Sequence, residues 1–155
     1  MRKKRNYKRD HEPDLKYKSV AVGRFINYLM GAGKKSAAQK VFYGAFANIQ
    51  NQTKQEPLPI FEKALENAAP SVEVTSRRIG GANYQVPREV RAARKFMLAA
   101  RWIIAAARSK KGRPMAEKLA EEILAASKNE GAAIKKKQDT HRMAEANRAF
   151  AHFSW

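Results

Sequence analysis

The chain has 155 residues, 44% of them hydrophobic, no cysteine and a formal net charge of +18. That length and apolar content fit one domain whose core buries about two-thirds of the unfolded surface, and they exclude a compositionally disordered chain. Without cysteine there are no disulfides or thiolate metal sites, and no apolar run approaches the ~20 residues of a membrane-spanning helix.

The positive charge is not confined to a tail. Arg2, Lys3, Lys4, Arg5, Lys8 and Arg9 supply six of the 32 Lys and Arg, and setting them aside leaves 26 against 14 acids, still a net +12. A folded body this basic repels itself, so a polyanionic partner is expected. Nucleic acid fits better than a membrane, because no helix sets a Lys-rich face against a bulky apolar one. The charged N-terminus leads into no apolar stretch and is not read as a secretory signal, which agrees with a cytoplasmic setting.

Residues 1–18 are polar, basic and broken by Pro13, and read as an extended arm ahead of a domain over 19–155. Ser19 is placed to cap a first helix with Val22, Phe25, Ile26 and Leu29 on its core face, spaced i, i+3, i+4, i+7. Gly31-Ala32-Gly33 ends it, and Lys34-Lys35 open a second helix with Val41, Phe42, Ala45 and Ile49 inward. After a polar loop at 51–56, Pro57 starts a third helix lined by Leu58, Phe61, Leu65 and Ala68 and stopped before Pro70.

Residues 72–88 read as a two-stranded hairpin. Val72 and Val74 alternate with polar residues, Gly80-Gly81 permit the positive φ of a tight turn, and Tyr84 and Val86 resume the alternation up to Pro87. A turn centred on the glycines sets Arg77 opposite Tyr84 and Glu73 opposite Arg88. With Arg77, Arg78, Asn83 and Tyr84 near its tip, the hairpin suits a surface that is anionic and stackable.

A fourth helix over about 91–108 turns Phe96, Ala100, Ile103, Ile104 and Ala107 inward. Arg94, Arg101 and Arg108 recur every seven residues and form a stripe drifting only ~20° per step, with Arg91 and Lys95 beside it. A fifth helix carries Met115, Leu119, Ile123 and Ala126 inside and Glu117, Glu121 and Glu122 on what reads as a solvated face; Gly131 suits its C-cap. A sixth, over roughly 132–149, has Ile134, Met143 and Ala146 as core candidates. Phe150, Phe153 and Trp155 close the chain, and either pack back on the core or serve a partner.

Chemistry has little to attach to. Gly31-Ala-Gly33-Lys34-Lys35-Ser36 resembles a phosphate loop only superficially: that pattern needs a glycine five positions before Gly33, where Tyr28 stands, and a strand before it. The same turn can instead hold a phosphate at a helix start. His11, His141 and His152 share no metal-ligand spacing, and His141 with Glu145 four residues on is a surface pair rather than a dyad. A DNA-binding architectural protein and a ribonuclease resting on His141 or His152 are the competing readings; no short Gln/Asn/Arg recognition helix supports the first and no partner for either histidine supports the second.

Several blocks resemble the bacterial form of small-subunit ribosomal protein seven. They are Leu29-Met30 with Gly33-Lys34-Lys35-Ser36; Ala64-Leu65-Glu66-Asn67 with Pro70; Val72 to Gly81 with Tyr84-Gln-Val-Pro87; Arg101-Trp102-Ile103; and His141 to Asn147 running to Trp155. The likeness implies a mainly α domain of about six helices with one β-hairpin projecting between the third and fourth. No enzymatic activity, cofactor, metal or homo-oligomer is expected. It implies a structural constituent of the small ribosomal subunit that binds the 3′ major domain of the 16S ribosomal RNA, nucleates assembly of the subunit head, and lies near exit-site transfer RNA, the messenger path and small-subunit proteins nine and eleven.

Three surfaces follow. Arg2, Lys3, Lys4, Arg5, Lys8 and Arg9 of the arm, with Lys34, Lys35, Arg77, Arg78, Arg91, Arg94, Lys95 and Arg101, are the candidates for ribosomal RNA; about a third of the body's cations are expected to serve local ion pairs instead. Ile79, Gly80, Gly81, Ala82, Asn83 and Tyr84 at the hairpin tip, with Lys136 and Arg142, are the candidates for exit-site transfer RNA and messenger. Arg148, Phe150, Phe153 and Trp155 are the candidates for a protein partner.

Overall fold

A computed structural model describes residues 11–153. Six α-helices and one hairpin run in the expected order: α1 (Val20–Leu29), α2 (Lys35–Thr53), α3 (Pro57–Ala68), β1 (Val72–Ile79), β2 (Ala82–Glu89), α4 (Ala92–Ser109), α5 (Met115–Ser127) and α6 (Ala132–Ala146). A 3-10 helix, Arg148–Phe153, follows where the sixth helix was expected to continue.

Helix α5 is central, packing against α2, α3 and α4, while α6 lies over α4 and the foot of β1. The four expected core residues of α1 are all buried, as are Phe42, Ala45 and Ile49 of α2 and Phe61, Leu65 and Ala68 of α3. Val41, Leu58, Phe96 and Met115 pack against that core but stay partly exposed. Four rings fill the centre. Phe25, Phe42, Phe46 and Phe61 are fully buried, with Phe42 and Phe46 centroids 4.3 Å apart and Phe25 edge-on to Phe61 at 5.1 Å. Edge-to-face and tilted pairs of this kind add about 0.5–1.5 kcal/mol each beyond area burial.

The segment expected to end the extended arm is packed from Asp14 onward. Asp14 accepts hydrogen bonds from the amides of Lys16 and Tyr17 (3.1 Å each) and from the Tyr43 hydroxyl (2.8 Å). Tyr17 lies edge-on to Phe46 at 4.9 Å. The chain crosses α1 so closely that a Cβ on Gly23 would sit 2.8 Å from the Glu12 carbonyl oxygen. Ser19 is the N-cap of α1 but its side chain makes no capping bond.

The hairpin register pairs Glu73 with Arg88 and Arg77 with Tyr84, as expected, with Gly80 (φ 57°) and Gly81 (φ 90°) forming the two-residue turn. Both φ values are positive, which only glycine adopts without strain in this turn. The face turned to the body differs from the expectation: Val72 and Val74 are half-buried and Glu73 between them is buried. An inward carboxylate is tolerated here because two arginines meet it.

Three further expectations are corrected. Gly131 (φ 95°) is the N-cap of α6, and α5 ends instead at Lys128. Glu122 does not belong to a solvated face: it is 1% exposed, accepts the Ala133 amide at 3.0 Å and lies 3.3 Å from Lys110 Nζ. It thus satisfies an orphan N–H of α6 from a neighbouring helix. Met143 is 51% exposed and Ala146 is exposed, because α6 turns Ile134, Lys137, His141 and Ala144 toward the body. Two of those four are polar, so an apolar periodicity points to the wrong face.

Candidate nucleic-acid interface

The arginine stripe of α4 lies on one helix and each member already has an internal partner. Arg94 Nε is 2.6 Å from Glu73 Oε2. The Arg101 guanidinium lies 5.9 Å from the Tyr28 ring centroid. Arg108 donates to the Leu29 carbonyl at 3.1 Å and so closes the C-terminus of α1. All three remain exposed, so each guanidinium is oriented by one contact and keeps donors for another ligand. At the helix start, α4 has no acidic residue in its first turn and no side-chain cap at Arg91. Its free amides and the positive end of its dipole add to the charge of Arg91, Arg94 and Lys95.

The turn before α2 has the same character. Lys34 is the N-cap, Lys35 the first helical residue, and both are exposed. Among the described residues, Lys34, Lys35, Arg78, Arg91 and Lys95 form no ion pair with a carboxylate. A basic side chain left unpaired beside an open helix N-terminus is suited to a phosphate. Arg2, Lys3, Lys4, Arg5, Lys8 and Arg9 lie outside the described residues, as does Trp155.

Near its tip the hairpin is held by the C-terminal segment. Tyr84 packs against Phe150 (centroids 5.2 Å) and Phe153 (5.3 Å), whose own rings are near-parallel at 11°. The two phenylalanines therefore contact neither the core nor open solvent alone: they clasp β2. Beyond the clasp, Gly80 to Asn83 are exposed, and an added Cβ on either glycine would meet nothing within 4 Å. The turn is thus open to a bulky ligand. Arg77 is half-buried on the strand opposite Tyr84.

On α6, Lys136 is exposed and Arg142 is loosely paired with Asp139 at 3.6 Å, while Arg148, which opens the 3-10 helix, lies 3.6 Å from Glu145; both pairs are three residues apart. Such exposed pairs are worth at most about 1 kcal/mol and give way readily to a polyanion. Between α6 and the hairpin foot runs a groove of about 450 Å³ lined by Ser71, Arg88, His141 and Arg148. The Ser71 amide donates to His141 Nε2 at 3.1 Å, and burial with the nearby Lys137 charge lowers the His141 pKa. The Nε2 lone pair of His141 is thus occupied as an acceptor at the hairpin foot.

The family model for ribosomal protein S7p/S5e matches residues 1–148 of this chain. A curated relative from Thermotoga maritima, small ribosomal subunit protein uS7, is 59% identical over the full length of both chains. One from Bradyrhizobium sp., with the same name, is 53% identical over 96% of this chain and 95% of its own. The chain belongs to the ribosomal protein S7p/S5e family.

The fold of this chain also rests on polar contacts between elements that the sequence reading does not anticipate. Asn67 of α3 donates to the carbonyls of Ala126 and Ser127 at 3.0 Å each, closing the end of α5, and Lys137 of α6 donates to the Asn67 carbonyl at 2.7 Å. Arg24 of α1 lies 4.1 Å from the Phe96 ring centroid. Lys110 bridges to Glu121 and Glu122, and Arg113 pairs with Glu121, so the basic turn before α5 is partly spent on the acidic helix. Among the described residues no group of His, Asp and Glu gathers as a metal site, and no helix is long and apolar enough to cross a membrane.

Proposed function

We infer that this chain is a structural constituent of the small ribosomal subunit in the cytoplasm, a non-enzymatic protein that binds small-subunit ribosomal RNA and nucleates assembly of the subunit head. The observation that carries this is the full-length likeness to small ribosomal subunit proteins. The physical reading agrees: a chain with a net charge of +18, most of it on a preformed helical body, clamps a phosphate-rich, irregular scaffold largely through its backbone and by stacking.

Within that role, the turn at Lys34-Lys35 and the start of α4 with Arg91, Arg94, Lys95 and Arg101 are the proposed surface for the 3′ major domain, joined by Arg77, Arg78 and the basic residues Arg2 to Arg9. The hairpin tip, Ile79 to Tyr84, with Lys136 and Arg142, is proposed to face exit-site transfer RNA and messenger. Arg148, Phe150, Phe153 and Trp155 are proposed to meet a small-subunit protein, with eleven as the candidate and nine as a second neighbour. Chemical footprinting of small-subunit ribosomal RNA with the purified chain tests the reading. Protection should appear in junctions of the 3′ major domain and persist against excess duplex DNA of equal length; protection that the DNA abolishes would refute it.

A further inference from the structure

Glu73 is the most heavily engaged carboxylate of the hairpin. It is 7% exposed, on the second residue of β1. From the facing strand, Arg88 brings Nε to 2.8 Å and Nη2 to 2.7 Å of the same oxygen, Oε1. From the first turn of α4, Arg94 Nε reaches Oε1 at 2.8 Å and Oε2 at 2.6 Å. Desolvation pushes the Glu73 carboxyl up, and the hydrogen bonds and charges of Arg94 and Arg88 together outweigh it, so its pKa is lowered. The group is ionised at neutral pH.

One carboxylate between two guanidiniums leaves a net positive charge at a fixed place. Each guanidinium has five N–H donors. The contacts to Glu73 use Nε of both and one nitrogen of Arg88, so most donors remain. Both side chains are about half exposed, Arg88 at 48% and Arg94 at 45%. Two planar forks locked to a common anchor, with free donors and net charge, are pre-organised for an anionic oxygen cluster.

We propose that Arg88 and Arg94 form a single seat for a phosphate of the RNA backbone, and that Glu73 is the positioning residue that holds the two guanidiniums in register. The proposal rests on the RNA-binding reading above. It adds Arg88 to the interface and gives a buried acid a part in binding a polyanion. The seat lies where the foot of the hairpin meets the first turn of α4, within the surface proposed for the 3′ major domain.

The sign of one substitution separates positioning from simple electrostatics. Glu73→Gln removes a negative charge, so charge alone makes the variant bind RNA more tightly at low salt. Loss of the seat makes it bind more weakly, by about tenfold for one well-placed charge-assisted contact. The measurement is the affinity of the full chain for a 3′ major domain fragment across a salt series, with the melting temperature recorded for each variant. Arg88→Gln, which keeps the Arg94–Glu73 pair, is the second variant and decides alone if Glu73→Gln does not fold. It should lower the slope of log K against log salt by roughly 0.7–0.9, one phosphate contact. A folded Glu73→Gln variant that binds as tightly as the parent or tighter, or an Arg88→Gln variant with an unchanged slope, overturns the seat. Failure of the parent chain to bind the fragment at all overturns the RNA-binding reading itself.

Discussion

Asp14 shows how much a single side chain organises at the edge of this fold. It is 6% exposed and accepts three hydrogen bonds, two from its own turn and one from Tyr43 on α2. Burial, the hydrogen bond to Asp14 and the Asp14 charge push the Tyr43 hydroxyl pKa up to about 12. The sign of its pH dependence follows. The folded value lies above the ordinary 10, so the contribution is complete below pH 10 and is lost as pH rises toward 12. Tyr43→Phe leaves one bond of a buried carboxylate unmade and should cost about 1.5–3 kcal/mol at pH 7. Denaturant unfolding at several pH values checks this: the gap between parent and variant should close between pH 10 and 12, and a constant gap would show that the hydroxyl is not coupled to Asp14 in this way.

The hairpin is the element that needs most help, because two strands alone are marginal in water. It has three fixings along its length: His141 on the Ser71 amide at the foot, Arg94 on Glu73 at the start of α4, and Phe150 and Phe153 on Tyr84 near the tip. Of these three only the last uses apolar contact, and it is half-exposed, so its worth is local; Val86 of β2 is buried besides. Replacing Phe150 and Phe153 together by alanine should lower the melting temperature by only a few degrees, since each aromatic pair contributes about 0.5–1.5 kcal/mol. Amide exchange at Asn83 to Gln85 should nevertheless accelerate at least tenfold, as the tip then opens independently of the core. If those amides exchange at the parent rate, the hairpin does not depend on the clasp.

At the scale of the whole molecule, the sequence reveals what periodicity controls. Val22, Phe25, Ile26 and Leu29 recur at helical spacing and are buried, and Gly80-Gly81 set the register that pairs Arg77 with Tyr84. It conceals what polar side chains do between elements. Glu122 capping α6, Asn67 closing α5 and the Lys137–His141 inner face of α6 are polar residues in core-facing positions, and hydrophobic patterning has no means to find them. The division of labour among the cations has the same origin: Arg94, Arg101 and Arg108 read as one stripe, yet each is oriented by a different neighbour. The charge itself is legible and separable. Residues 1–9 carry six cations and no acid, so their deletion takes the net charge from +18 to +12. The Asp14–Tyr43 anchor stays in place, and the melting temperature should not move. RNA binding should survive on the body, with a salt slope flatter by up to roughly 4–5 if all six cations meet phosphates. An unchanged slope would assign the whole electrostatic contact to the helical body and its hairpin, and would remove Arg2 to Arg9 from the interface.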